Sequence, residues 1–222
     1  MSSIIGVNDL CLWYGQTRAL KNINMEIPEK SITALIGPSG CGKSTFLKTL
    51  DRMNDLVPGV KITGEVKYKE QNIYAPGTDV NELRRCIGMV FQEPEHQFAA
   101  NFVRDEVSIG PKSMGQSQDE AYQTADRMLE QMNLTRFAKA NPYTLSGGEK
   151  RRLSVASMLA AAPKVLVMDE PTFGQDFSTW NEMVKLIAAI RDQGSCVIMV
   201  THDEALVDAL GARRVMFEEA KA

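Results

Sequence analysis

Apolar and polar residues alternate along the first part of the chain in the manner of strands. Residues 4–12 and 20–27 have apolar side chains at every second or third position, and Pro28 interrupts the pattern. Further on, residues 165–168 and 196–200 are continuously apolar. Continuous runs of this length suit parallel strands that are buried on both faces beneath helices. The pattern therefore predicts an α/β protein whose core strands are parallel.

Between these segments, the spacing of apolar residues predicts further short elements. Residues 31–36 and 87–91 are typical of strands, and residues 45–50 have helical spacing. Residues 55–64 contain proline and glycine and predict a loop, after which a strand resumes at residues 65–68.

The pattern changes between residues 93 and 140, where helical spacing replaces that of strands. Within residues 118–132, one helical face carries the apolar side chains of Ala121, Ala125, Met128, Leu129 and Met132. We interpret this methionine-rich face as core packing rather than as a cofactor contact. The chain is then a single domain over residues 1–222, with a helical insert at 93–140 and a core formed by 1–92 and 141–222.

Residues 37–45 read Gly-Pro-Ser-Gly-Cys-Gly-Lys-Ser-Thr and contain the complete P-loop pattern between a predicted strand and a predicted helix. Glycines in such a loop let backbone N–H groups point at phosphate oxygens, beside the positive end of the helix. Lys43 can then reach the β- and γ-phosphates, and the Ser44 hydroxyl can bind Mg²⁺. We predict a nucleoside triphosphate site, which makes the core a nucleotide-binding core. Its loop residues are Gly37, Ser39, Gly40, Cys41, Gly42, Lys43, Ser44 and Thr45.

Two adjacent carboxylates, Asp169 and Glu170, follow the apolar run at 165–168. A strand buried on both faces ends in acids where a cation or a reactive group lies at its tip. Beside the P-loop, Asp169 would approach the Mg²⁺ ion and Glu170 would polarise the attacking water. A helix N-cap is the alternative interpretation, and the presence of the P-loop favours the functional one.

Residues 145–149 read Leu-Ser-Gly-Gly-Glu and open a run with helical periodicity. Ser146 and Glu149 have the spacing of a capping box, which is the structural alternative. That alternative leaves Gly147 and Gly148 unexplained, whereas small residues at a helix start also form an anion site. One chain would then carry two phosphate-binding elements, which could serve one γ-phosphate if they came from different subunits.

Composition and charge narrow the function classes. The chain of 222 residues is 44% hydrophobic and has a formal net charge of −3, which does not support general nucleic-acid binding. The four cysteines are scattered, and we expect free thiols. We also expect no signal peptide, and no run approaches the ~18 apolar residues that cross a bilayer. Any role in a membrane process would then be played from the cytosol through a partner.

The P-loop, the two carboxylates and the Leu-Ser-Gly-Gly-Glu run resemble those of ATP-binding-cassette (ABC) ATPases, and the resemblance covers essentially the whole chain. It implies an ABC-type P-loop fold with a mostly parallel core sheet, an N-terminal antiparallel β subdomain and a helical insert. It also implies hydrolysis of ATP with Mg²⁺ in a head-to-tail dimer. ATP would lie between the P-loop of one subunit and the signature motif of the other, where Ser146, Gly147 and Gly148 would contact it.

The resemblance also implies roles for single residues. Gln92 matches the Q-loop glutamine, which senses Mg²⁺ and the transport partner, and Asp176 matches the D-loop aspartate. His202 matches the switch histidine that contacts the γ-phosphate. Tyr14 occupies the position of an aromatic residue that stacks on adenine, and an edge-strand tyrosine is the alternative. The expected catalytic residues are thus Lys43, Gln92, Glu170 and His202, and the expected Mg²⁺ ligands are Ser44, Gln92 and Asp169.

Two segments of the chain resemble different branches of this family. Residues 1–92 are similar to ATPases of phosphate importers, notably at 37–44 and 83–92. Residues 93–222 are similar to ATPases of energy-coupling-factor importers, which take up vitamins and metal ions. This division predicts either a natural mosaic or an engineered chimera, and we favour the chimera. After residues 213–217 we expect no further strand or regulatory extension.

The partners implied by the resemblance are transmembrane permease subunits and a second ABC ATPase, in a homodimer or a heterodimer at the cytoplasmic face of the membrane. The permease would bind in a groove lined mainly by residues 92–132. Phe98, Phe102 and Val103 either line that groove or pack the insert. Because almost all of this segment belongs to the second part, we expect a permease of the energy-coupling-factor type.

Two alternatives remain open at this point. The chain could be an engineered chimeric ABC domain that folds and binds ATP without a productive transport partner. It could also be a non-transport ABC ATPase that acts on DNA. The acidic charge balance and the lack of coiled-coil heptads disfavour the second alternative.

Overall fold

The computed structural model describes residues 2–217. Its strands are β1 (Ser3–Tyr14), β2 (Thr17–Pro28), β3 (Ile32–Ile36), β4 (Val60–Tyr68), β5 (Gln71–Asn72), β6 (Ile87–Val90), β7 (Val165–Asp169), β8 (Cys196–Val200) and β9 (Arg213–Met216). Its helices are α1 (Lys43–Leu50), α2 (Val80–Cys86), α3 (Val103–Ser113), α4 (Gln118–Gln131), α5 (Gly147–Leu159), α6 (Phe177–Asp192) and α7 (Glu204–Leu210). No described helix is long and apolar enough to cross a membrane.

The strands form two sheets. An antiparallel sheet has the order β2-β1-β4-β5, and a five-stranded sheet has the order β6-β7-β8-β3-β9. All described pairings in the second sheet are parallel, for example Val167 with Ile198 and Ala34 with Met199. The carboxyl ends of β3, β6, β7 and β8 therefore meet at one edge, which is where ligands bind in open α/β sheets.

The parallel sheet is buried on both faces, as its continuous apolar runs predict. On one face, Leu166 and Met199 belong to a hydrophobic cluster shared with α3 to α6. On the other, Val167 and Ile198 belong to a second cluster shared with α1 and the antiparallel sheet. The parallel sheet thus lies between a helical layer and a mixed layer, and both layers hold it in place.

Helices α3 and α4 pack against each other, and α3 also contacts α5. Helix α4 begins with a capping box between Ser117 and Glu120. Of the apolar face predicted for this helix, Ala121, Ala125, Leu129 and Met132 are buried and Met128 packs partly against the same cluster. The interpretation of this face as core packing is confirmed.

The loop predicted at residues 55–64 is wrong in its second half, because β4 begins at Val60 and pairs with Tyr14. Lys61 and Thr63 alternate with Ile62, which suits a half-exposed strand despite the nearby glycines. Gly64 has a φ of 88°, and a Cβ there would lie 2.3 Å from the carbonyl oxygen of Asp9. It thus occupies an irregularity in the pairing that only glycine fits.

The last described residue, Phe217, lies beside the P-loop. Its backbone N–H donates to the carbonyl of Ile36 at 2.7 Å, and its ring lies 5.4 Å from that of Phe46 between centroids. The carbonyl of Phe217 is so close to Gly37 that a Cβ on Gly37 would lie 2.2 Å from it. The expectation that nothing regular follows residue 217 concerns positions outside the described residues.

Candidate nucleotide-binding site

A cavity of about 410 Å³ opens at the carboxyl edge of the parallel sheet. It combines side chains from the P-loop, from the ends of β6, β7 and β8, and from β2. Its lining residues are Ala19, Ser39, Gly40, Gly42, Lys43, Ser44, Thr45, Gln92, Asp169, Glu170, Phe173, Val200 and His202. All four residues predicted to act in catalysis and all three predicted to bind Mg²⁺ therefore lie together.

The P-loop runs from the end of β3 at Ile36 to the start of α1 at Lys43. Gly42, the N-cap of α1, has a φ of 100°, and a Cβ there would lie 2.6 Å from the carbonyl oxygen of Ala19. Glycine is required at this position for both reasons. No side chain caps α1, so that the N–H groups of its first turn are left for an anion, as in other phosphate-binding loops.

Lys43 lies inside the loop that precedes it. Its side chain is buried, and the Nζ ammonium donates to the carbonyls of Gly37 at 2.7 Å and Pro38 at 2.8 Å. The Cys41 thiol accepts a weaker contact from the same Nζ at 3.6 Å and belongs to the second hydrophobic cluster. Gly37 and Cys41 thus shape the loop from behind, whereas Ser39, Gly40 and residues 42–45 face the cavity.

Glu170 follows the buried Asp169 at the end of β7 and has a backbone φ of 48°. A positive φ at a non-glycine residue is a strained conformation of the kind that clusters at functional sites. Its N–H donates to the carbonyl of Val200 at 2.9 Å, which joins the tips of β7 and β8. This hydrogen bond helps to keep Glu170 in its strained conformation and fixes the place of its carboxylate on the cavity wall.

His202 approaches the Glu170 carboxylate through two atoms. Its backbone N–H donates to Oε2 at 3.3 Å, and its Nε2 lies 3.5 Å from Oε1. Burial raises the pKa of Glu170 above its ordinary value, and the neighbouring Asp169 adds to this, while the His202 hydrogen bond and charge and the Lys43 charge oppose it. A carboxylate with a raised pKa is a better proton acceptor, as a general base needs to be.

The donor set in the cavity fits Mg²⁺. This ion usually keeps several waters and binds through one or two carboxylates together with substrate phosphates. Ser44 offers a hydroxyl, Gln92 an amide oxygen and Asp169 a carboxylate, and all three line the same cavity. Within residues 2–217 there is no cluster of three His, Cys, Asp or Glu side chains that would suit a metal held by protein groups alone.

The signature residues lie outside this cavity. The predicted capping box is present, because Ser146 Oγ accepts from the N–H of Glu149 and Glu149 Oε2 accepts from the N–H of Ser146 at 2.9 Å. A Cβ at Gly148 would lie 3.3 Å from Thr179 Oγ1, whereas one at Gly147 would meet nothing within 4 Å. Folding of this chain thus accounts for Ser146, Glu149 and Gly148 but not for the exposed Gly147.

Two further predicted residues also lie outside the cavity. Asp176 caps α6 and accepts from the N–H of Thr179 at 2.9 Å, a hydrogen bond that lowers the pKa of this carboxyl. Tyr14 ends β1, its ring packs against the second cluster, and its hydroxyl donates to Asn54 Oδ1 at 2.8 Å. Their roles at the nucleotide stay predictions.

The structure adds residues that sequence reasoning missed. Asp203 Oδ2 accepts from Thr172 Oγ1 at 3.0 Å and from Trp180 Nε1 at 2.6 Å, which ties the loops after β7 and β8 together. Arg151 is buried beneath the cavity and contacts the backbone at Gln92. Asp203 stands directly beside His202 in the sequence, which is a weak signal for it. Arg151 lies within the charged run at residues 149–152, so nothing in the sequence distinguishes it from its neighbours.

Comparisons with known proteins agree with this site. A model of the ABC transporter family matches residues 20–173. The phosphate import ATP-binding protein PstB 2 of Ligilactobacillus salivarius is 43% identical, over 91% of this chain and 82% of that protein. PstB of Borreliella burgdorferi is 42% identical, over 96% of this chain and 83% of that protein. Both alignments run across residue 92, so the comparisons give no support to a two-segment chimera or to an energy-coupling-factor-like second segment.

Two solved structures have the same architecture. CbiO1 from Clostridium perfringens, part of the ABC transporter complex CbiONQ, superposes with a TM-score of 0.78 at 32% identity, covering 93% of this chain and 81% of that one. The ATP-binding cassette MJ0796, solved as a dimer bound to ADP and phosphate, superposes with a TM-score of 0.84 at 27% identity, covering 96% and 94%. This chain belongs to the ABC transporter family and is an ATP-binding, ATP-hydrolysing subunit of that family.

Proposed function

We propose that this chain hydrolyses ATP to energise phosphate import, as the ATPase subunit of an importer at the cytoplasmic face of the membrane. One observation carries the proposal: the cavity that gathers the P-loop, Gln92, Asp169, Glu170 and His202 occurs in a chain that is 42–43% identical to phosphate-import ATPases over most of its length. The P-loop motif alone, the fold alone or the sequence similarity alone would support only a nucleotide-binding domain.

Each group in the cavity has a distinct task in this proposal. The loop N–H groups and Lys43 bind the phosphates and neutralise charge that develops on them. Glu170 orients the attacking water and accepts its proton, and His202 contacts the γ-phosphate beside it. Mg²⁺ neutralises charge on the β- and γ-phosphate oxygens when bound, and Ser44, Gln92 and Asp169 would hold it. Tyr14 would stack on the adenine.

We further propose that hydrolysis requires a head-to-tail dimer, in which Ser146, Gly147, Gly148 and Asp176 complete the site of the partner subunit. The exposed Gly147, which the fold of this chain does not explain, supports this arrangement. So does Phe177, whose side chain is 78% exposed directly after Asp176. Large exposed apolar side chains beside polar binding residues are typical of interaction surfaces.

The permease would bind where the helical insert, residues 93–140, meets the core formed by 1–92 and 141–222. A second cavity, of about 400 Å³, lies there between α2, α3 and the end of α5. Of the three side chains expected at this surface, Phe98 and Val103 are buried and pack the insert, while Phe102 is 50% exposed. Ile109 on α3 lines the cavity and is also exposed. Ile109 is thus the apolar anchor that we propose for the permease inside the cavity, and Phe102, at the N-cap of α3, is a second apolar contact outside the cavity lining.

The type of permease separates two hypotheses. A partner of the energy-coupling-factor type rests only on the sequence resemblance of residues 93–222, whereas the identities of 42–43% to phosphate-import ATPases favour a phosphate permease. We propose the phosphate permease, because those alignments also cover the groove segment, residues 92–132.

A pull-down with both permease types tests this proposal. The chain should co-purify with a phosphate permease, whose presence should stimulate hydrolysis, and Ile109→Asp should weaken both effects because Ile109 lines the groove. Leu56→Asp is the matched control, because Leu56 is equally an exposed apolar side chain but does not line the groove. Binding only to the energy-coupling-factor transmembrane subunit would overturn the phosphate assignment and leave the ATPase assignment intact.

A further inference from the structure

Arg151 is a buried cation without a carboxylate partner within ion-pair distance among the described residues. Its residue is 2% exposed, on α5 two positions after the signature motif. The guanidinium donates Nη1–H to the carbonyl of Phe91 at 2.6 Å and Nη2–H to the carbonyl of Gln92. Burial lowers the pKa of Arg151, and the charges of Asp169 and Glu170 oppose that effect. The fork of the guanidinium is therefore used on two consecutive backbone carbonyls rather than on an acid.

The position of the Gln92 side chain is set by its backbone alone. Its side chain is exposed to the nucleotide cavity and makes no hydrogen bond with any described residue. The two carbonyls that flank its peptide unit are the ones that Arg151 holds. Where the amide of Gln92 points is thus set largely by a residue of another element.

The rest of the segment after β6 is also attached to α5. Lys150 Nζ lies 2.5 Å from Glu95 Oε1, and Ser154 Oγ donates to Gln97 Oε1 at 2.7 Å. Gln97 Nε2 in turn donates to the carbonyl of Ser154 at 3.0 Å. Residues 91–97 are therefore fastened along one side of α5, whose first turn is the signature motif. A shift of this helix would move the Gln92 segment with it.

We propose that Arg151 is a positioning residue, which holds Gln92 in register with the Mg²⁺–ATP site and transmits to Gln92 any movement of the signature helix. The inference rests on the proposed role of Gln92 in that site. Its chemical basis is that a planar guanidinium can satisfy two adjacent acceptors at fixed angles, whereas an ammonium lacks this planar geometry and a glutamine is shorter and uncharged. In a dimer, contact of one subunit's signature motif with its partner's ATP would then shift the Gln92 of the first subunit.

Steady-state hydrolysis by the purified chain tests this, over ranges of ATP and Mg²⁺ concentration. The variants are Arg151→Gln, Arg151→Lys, Gln92→Ala and the double variant of Arg151→Gln with Gln92→Ala. Arg127→Gln is the matched control, because Arg127 is an exposed helical arginine that donates to Thr124 and lines no site. Thermal unfolding of every variant reports on its folding.

Arg151→Gln should lower kcat by about 10-fold and raise the half-saturating Mg²⁺ concentration several-fold, as misplacement of a supporting group does. KM for ATP should stay within about twofold, since the P-loop is untouched. Arg151→Lys should recover part of the loss, because one ammonium can donate to both carbonyls. The double variant should be no slower than Gln92→Ala, because Arg151 acts through Gln92.

Additive losses in the double variant, or an unchanged Mg²⁺ requirement in Arg151→Gln, would overturn the proposal. If Arg151→Gln does not fold, Arg151→Lys replaces it in the cycle with Gln92→Ala and is judged by the same two criteria. Failure of the proposed function itself would look different, because wild type would then show no Mg²⁺-dependent hydrolysis above that of Lys43→Ala.

Discussion

Replacing Glu170 with glutamine separates its chemistry from its place in the fold. The amide has nearly the same shape, and its oxygen can still accept from the His202 N–H, which donates to Glu170 Oε2 at 3.3 Å. The amide cannot accept a proton from water at neutral pH. Loss of a general base costs roughly 10²- to 10⁴-fold in rate, and we expect Glu170→Gln to lose hydrolysis within that range while it keeps its affinity for ATP.

The same substitution should stabilise the protein at neutral pH. Because the pKa of Glu170 is raised in the folded protein, its contribution to stability is fully present below the ordinary value near pH 4.5 and is lost as pH rises through the raised pKa. Above the raised pKa the ionised carboxylate therefore costs stability, and the neutral amide removes that effect. The active-site carboxylate is kept at a cost to stability, as is common at catalytic positions.

Three measurements on Glu170→Gln check this reasoning: phosphate release at saturating ATP, equilibrium binding of a fluorescent ATP analogue, and thermal unfolding at pH 7 and pH 4. Gel filtration with ATP and Mg²⁺ should show a dimer that persists, because the nucleotide is retained. Hydrolysis within about twofold of wild type would refute the role of Glu170 as a base. A variant that binds ATP but stays strictly monomeric would contradict the proposed dimer.

Other substitutions test separate parts of the site and the fold. Lys43→Ala should lose hydrolysis on the order of 10²-fold or more in the same phosphate-release assay, because a buried ammonium beside the phosphates is removed, and wild-type activity would exclude the P-loop assignment. Gly147→Asp should unfold at the wild-type temperature, since a side chain there meets nothing within 4 Å, yet should fail to dimerise with ATP in gel filtration; a persisting dimer would argue against the signature contact. Burial raises the pKa of Asp51 to about 6, so its contribution to stability is present below pH 3.8 and is lost as pH rises through 6. Asp51→Asn should therefore stabilise the protein above pH 6 by about 3 kcal/mol in urea unfolding, and an equal effect at pH 4 would contradict this explanation.

Local patterns were sufficient for the parts of the fold that repeat a simple period. Strands β7 and β8 were predictable because a strand buried on both faces is continuously apolar. The buried face of α4 was predictable because its apolar residues recur at helical spacing. The start of strand β4 is predicted five residues too late, at residue 65 instead of Val60. Gly64 is typical of a loop in sequence, whereas in the structure it allows a close approach to Asp9. That approach depends on a strand about 55 positions earlier, which no local window contains.

The residues of the candidate site also divide into those that a local motif predicts and those that depend on distant contacts. Sequence motifs predict Lys43, Asp169 and Glu170, because few residue types can bind phosphate and Mg²⁺. Gln92 and His202 were found only through the family resemblance, because a lone amide or imidazole after a strand has many ordinary uses. Arg151 and Asp203 act on backbone and side chains far away in sequence, so their contacts could be known only from the folded chain.

The position of Phe217 has a consequence for how this protein is made. Its backbone closes onto Ile36, its ring rests on Phe46, and its carbonyl lies against Gly37, so one wall of the P-loop comes from a residue 180 positions further along the chain. Contacts between such distant positions form late and slowly, because the intervening chain must first be ordered. During synthesis, a ribosome-bound chain can carry the entire P-loop sequence outside the exit tunnel without yet having a finished phosphate pocket. Nucleotide would then be captured only after residue 217 has left the exit tunnel, which ties the first ATP bound to a chain whose Glu170 and His202 are already in place.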